Sequence, residues 1–136
     1  MGLFANFNIS GSAISAQSVR LNTVASNLAN VETIASSEAD AYRSRQPVFQ
    51  SMLGNPDQPG EVGVRMLEIV QSQNTVDKRY DPGHALANED GFVFGSNVNP
   101  VEEMANMISA SRAYQNNVEV LNTSRDLLLR VLSLGS

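Results

Sequence analysis

The last third of the chain, Asn99 to Leu134, constrains the fold more than any other stretch, because it reads as one uninterrupted helix carrying an apolar stripe. Met104, Met107, Ser111, Tyr114, Val118, Leu121, Arg125, Leu128 and Leu132 follow alternating three- and four-residue steps, the spacing that keeps one seam turned toward a partner helix. Asn99 is placed to cap the free amides, Pro100 suits the first helical position, and Glu102 and Glu103 set negative charge at the positive end of the helix dipole. Arg125 and Arg130 lie toward the far end, where Gly135 is expected to stop the helix in the left-handed conformation. Such a helix is a rod of roughly 50 Å. That is longer than the core of a compact chain of 136 residues needs, so the sequence points to an extended assembly.

A second stripe begins near Ser12, with Ile14, Leu21, Val24, Ala25, Leu28 and Val31 at heptad-like spacing and an opposite face of Ser, Asn, Gln and Thr that is almost uncharged. Residues 1–9 hold Leu3, Phe4, Phe7 and Ile9 without a clear period and are expected to stay mobile until they meet a partner. The two stripes invite pairing. The predicted chain is mainly α, with N- and C-terminal helices pairing as a coiled-coil-like stem (residues 1–32 and 99–136) and a small β-rich insert (residues 33–98) between them.

Within the insert, residues 33–40 are small and polar and read as a loop. Ala41 to Leu53 suggests a short extended piece, ended by Gly54-Asn55-Pro56 and a Pro- and Gly-rich loop to Gly60. Residues 61–71 are the best strand candidate, rich in Val62, Val64, Ile69 and Val70, with the alternation slipping near Met66 and Leu67 as a bulge would require. Val76 to Tyr80 and Phe92 to Phe94 predict two further short strands, separated by turns at Asp81-Pro82-Gly83-His84 and Asn88 to Gly91.

Composition narrows the function. Nine basic residues against fourteen acidic ones oppose binding to nucleic acid or to an anionic membrane surface. With no cysteine, disulfides and thiolate metal sites are excluded. No basic segment leads into a continuous apolar run, so neither a cleavable signal nor a membrane span is expected, and the simplest address is cytoplasmic unless the chain leaves by a route that needs no such signal.

Chemistry has little to stand on. His84 is the only histidine, which rules out a histidine pair or a histidine metal cluster within one chain. The adjacent acids Glu89-Asp90 and Glu102-Glu103 do not form the facing carboxylates of a glycosidase, and no phosphate loop, nucleophile elbow or dinucleotide fingerprint is present. A small hydrolase built on His84, Glu89 and Asp90 is the weakest reading; no cofactor, metal or small-molecule substrate is expected. A soluble helical adaptor or export chaperone that closes as a dimer is the stronger rival. Each stripe lacks a large partner until assembly, so the terminal helices are expected to be largely unfolded in the free subunit.

Asn27-Leu28-Ala29-Asn30 with Thr33, near the end of the first helix, resembles the N-terminal signature of the bacterial flagellar axial proteins, the rod and hook subunits. Asn99-Pro100-Val101-Glu102-Glu103-Met104, continuing through Met107-Ile108 and Arg112-Ala113-Tyr114, resembles their C-terminal signature. The resemblance implies a structural subunit that packs against copies of itself and other rod subunits, meets the flagellar export apparatus and the membrane ring, and lies in the periplasmic part of the basal body after export without a cleaved signal. Its assembly contacts would then be Ile14, Leu21, Val24, Leu28 and Val31 of the first helix, and Met104, Met107, Tyr114, Val118, Leu121, Leu128 and Leu132 of the second.

Overall fold

The computed structural model describes residues 3–53 and 62–135 as two long helices with four strands between them. The order is α1 (Leu3–Ala29), β1 (Arg45–Met52), β2 (Gly63–Gln71), β3 (Lys78–Tyr80), β4 (Phe92–Phe94) and α2 (Pro100–Leu134). The expected loop from Gly54 to Gly60 lies outside the described residues.

The start of α2 is built as its sequence indicates. Asn99 Oδ1 accepts from the backbone N–H groups of Val101 (3.1 Å) and Glu102 (3.4 Å), satisfying two donors the helix itself cannot. The other end differs. Gly135 has φ −97° and its N–H reaches the Leu132 carbonyl at 3.3 Å, so the helix closes with a tight final turn and not with a left-handed residue.

α1 begins nine residues earlier than the apolar period indicates, at Leu3 and not near Ser12. The reason is tertiary: Ala5 and Ser10 are buried, so the helical partner rewards order where local propensity, with Gly11 in the middle, is weak. The two helices pack against each other. Arg20 Nη2 donates to Asn106 Oδ1 at 3.2 Å, and Ser96 Oγ, just before α2, donates to the Val31 carbonyl just after α1 at 2.6 Å. The end of α1 therefore lies beside the start of α2, and the helices run antiparallel. At equal rise that register sets Leu3 level with about residue 123. Ser124 is in fact the last buried residue of α2 among the described residues, and the remaining turns overhang.

β1 and β2 form an antiparallel hairpin that packs on α1. Val48 pairs with Glu68 and Phe49 with Met66, leaving Leu67 unopposed, which is the bulge expected at that point. The extra residue has a consequence for packing. Met66 and Ile69 are an odd number of residues apart and would face opposite sides of a regular strand, yet both line one groove with Val19 and Thr23 of α1.

β3 and β4 form a second two-stranded antiparallel sheet, extended by a bridge in which Ala35 and Phe94 exchange backbone hydrogen bonds of 2.8 and 2.9 Å. Here Val93 is almost fully buried, with Ala41, Phe94 and Val98 also in the core. Tyr80 and Phe92 meet edge to face at 5.2 Å, and Lys78 Nζ sits 4.2 Å from the Phe92 ring centroid. Gly91, at φ +80°, turns the chain between them, and Asn88 Oδ1 receives the N–H groups of Asp90 and Phe92.

Candidate assembly interface

Which face of α2 meets α1 is decided by burial, and the answer splits the predicted seam in two. Met107, Tyr114, Leu121 and Leu128, one residue per heptad, are all half-buried. The companion row, however, is not Met104, Ser111, Val118, Arg125 and Leu132 but Glu103, Ala110, Asn117 and Ser124, also seven apart. Ala110 is 0% exposed, and Glu103 and Ser124 are buried. The small side chains of Ala110 and Ser124 let the helix backbones approach closely there, as large apolar ones would not. A search for apolar periodicity passes over this row because only one of its four residues is apolar.

Met104, with Val101 and Ile108, consequently points away from α1 and is 56% exposed, whereas Leu127, Val131 and Leu132 are exposed because they lie in the turns that overhang past Ser124. Of the predicted positions on α1, Val24 is buried, while Ile14, Leu21, Leu28 and Val31, just past the helix, are half-buried. Val118 is half-buried on α2. The expected residues thus divide into a buried or half-buried set and an exposed set.

The signature residues serve as joints. Asn27, 1% exposed, receives the Arg45 N–H on Oδ1 at 2.9 Å and donates from Nδ2 to the Arg45 carbonyl at 2.9 Å, so its amide imitates a strand partner for the first residue of β1. Tyr42 donates to the same Oδ1 at 3.0 Å. Asn30 Nδ2 turns back to the Ser26 carbonyl and Thr33 Oγ1 donates to Asn30 Oδ1, closing α1, while Leu28 is half-buried and Ala29 exposed. In the second signature Glu102, Met104 and Arg112 are exposed, Ala113 and Tyr114 half-buried, and Glu103 buried.

Sequence reasoning missed the joint opposite Asn27. Asn97 Oδ1 accepts from the Ser44 N–H at 2.6 Å and its Nδ2 donates to the Asn74 carbonyl at 3.0 Å, while Arg43 donates to the carbonyls of Ser72 and Asn74. Buried Ser44 and Ser96 mark this network. Polar residues between a strand and a helix cap look like loop in a sequence; no period exposes their pairing. His84, by contrast, uses Nδ1 to accept the Leu86 N–H at 3.0 Å within its own turn, and Glu89 and Asp90 are exposed.

Two long helices clamped at Asn27 and Asn97, with apolar side chains left exposed along α2, are the build of a structural assembly subunit. Residues 7–34 match the family model described as flagella basal body rod protein, and residues 89–134 match that of the flagellar basal body rod FlgEFG protein C-terminal region. The chain is 44% identical to the flagellar basal-body rod protein FlgC of Salmonella typhimurium and 33% identical to that of Borreliella burgdorferi, over 99% and 98% of both chains respectively. It belongs to the flagellar basal-body rod proteins, in the FlgC family.

Proposed function

We infer that this chain is a structural subunit of the proximal rod of the bacterial flagellar basal body, part of the shaft that transmits torque to the filament. The observation that carries the mechanism is the apolar surface that α2 leaves uncovered: Met104 and Ile108 on the side away from α1, and Leu127, Val131 and Leu132 in the turns that overhang past Ser124. Covering exposed apolar area stabilises association by about 25 cal/mol per Å². Contacts between unlike faces of neighbouring subunits propagate as an open helical assembly where their rotation does not close into a ring.

In this reading residues 1–32 and 99–136 act as a coiled-coil-like stem and residues 33–98 set the spacing around it. The partners are copies of this chain, other rod subunits and, at the base, the export apparatus and membrane ring. The address is the periplasmic rod, reached through the flagellar export route without a cleaved signal.

The test uses side chains that the single chain leaves exposed, so that the fold is spared. Ile108→Asp and Leu132→Asp should leave the circular dichroism of the purified chain unchanged, yet remove it from isolated basal bodies and abolish swimming. Normal rods carrying both variants would contradict the proposal, as would a wild-type chain that sediments as an ordered dimer of fixed size.

A further inference from the structure

Two exposed apolar stripes lie at opposite ends of α2. Val101, Met104 and Ile108, at steps of three and four, form one on the side of the first turns that faces away from α1. Leu127, Val131 and Leu134, at steps of four and three, form the other in the overhang past Ser124. Between them the side away from α1 is polar: Arg112, Gln115, Glu119 and Asn122 continue the spacing from Ile108, and all four are exposed. The ends differ in charge as well. Glu102 is exposed in the first turn, at the positive end of the helix dipole, while Arg125 and Arg130 are exposed toward the negative end with Asp126 as the one acid among them. The ion pairs among the described residues, Arg43–Glu38 and Arg79–Asp81, use none of these groups.

About 25 residues, or roughly 38 Å of straight helix, separate the two stripes. They cannot cover each other within one chain. Building on the rod reading above, we propose that the overhang of α2 in one copy of this chain laps the first turns of α2 in the next copy, parallel to it, so that Leu127, Val131 and Leu134 cover Val101, Met104 and Ile108. The lap sets the basic, negative-dipole end of one helix beside the acidic, positive-dipole end of another, which favours this pairing over tail on tail or head on head. A closed antiparallel pair would also bring unlike ends together, but it would press Arg112, Gln115 and Glu119 of both copies into one interface, and burying such groups is costly. The staggered lap leaves that polar middle in water. Each copy keeps one free head and one free tail, so the joint repeats, with a step of roughly 38 Å along α2.

The experiment places photoreactive p-benzoylphenylalanine at Met104, and separately at Val131, in the full chain and irradiates isolated basal bodies. The expected adducts are reciprocal: from Met104 to residues 127–134 of a second copy, and from Val131 to residues 101–108. Positions so far apart on one helix cannot meet within a chain, so such an adduct identifies itself as a link between copies. A second measurement uses smaller replacements in a chain that has no cysteine of its own. Val101→Cys and Leu134→Cys together should give, on oxidation of the rods, a ladder of linked dimers, trimers and longer products, and either substitution alone should give none. Adducts to a different rod subunit or to other residues overturn the proposal, as does an oxidised product that stops at the dimer or is absent. Rods that hold the chain but show these results remove the lap alone; rods that lack the wild-type chain remove the rod reading itself.

Discussion

Asn27 near the end of α1 and Arg45 at the start of β1 are joined by two hydrogen bonds of opposite sense, each 2.9 Å long. One amide side chain thus fixes where the insert leaves the helices. Asn27→Ala removes both bonds and leaves the Arg45 N–H and carbonyl without those partners, in a site that is closed to water around Asn27 itself. A loss of about 2–4 kcal/mol is expected, measured as a lower denaturant midpoint of the full chain. An unchanged midpoint would mean that the clamp is dispensable.

Gly91 carries a different constraint. Its φ is +80°, and a Cβ there would lie 2.8 Å from the Tyr80 ring and 3.1 Å from Pro82 Cβ. Gly91→Ala should therefore destabilise the β3–β4 sheet by about 1–3 kcal/mol, read as a drop in melting temperature with loss of the Tyr80 near-ultraviolet signal.

Gly11 is the opposite case. It sits inside α1 with nothing within 4 Å of where a Cβ would be, so it incurs the entropic cost of glycine without any in-chain packing that needs it. Gly11→Ala should stabilise the helix by about 0.5–1 kcal/mol and deepen the far-ultraviolet helical signal of the free chain. If it does so while blocking rod assembly, then a neighbouring subunit approaches α1 at this point.

Much of the fold was legible because it is written in local chemistry. The Asn99 cap, the bulge at Leu67 and the turn at Asn88–Gly91 each follow from residues close in sequence. The first turns of α1 were not, since only a partner helix makes Leu3 to Gly11 helical. The rotation of α2 was half legible: Met107, Tyr114 and Leu121 are half-buried as the stripe indicates, but Ala110 and Ser124, which let the helices meet, belong to a row with little apolar signal. Met104 looked like a seam residue and is one for which the single chain offers no seam.

The expectation that the stem is unfolded before assembly narrows accordingly. Near α1's end the helices are tied by Arg20 and Ser96, whereas at the far end Ala5, Ser10 and Ser124 bury little apolar area. Ordering costs about 1–2 kcal/mol per residue, which such contacts offset poorly. Amide exchange of the free chain should be slow around residues 20–29 and 100–110 and fast in residues 3–12 and 120–134. Uniform slow exchange along both helices would show that the stem is complete without neighbours.

The central claim is that the apolar surface α2 leaves uncovered, on its outer side and in its overhang, is a contact between subunits, and electron cryo-microscopy of basal bodies from the source organism tests it most directly. The account predicts density for this chain in the proximal rod, with Met104, Ile108, Val131 and Leu132 buried against neighbouring subunits. A rod built without the chain, or one in which those side chains stay open to solvent, would contradict it.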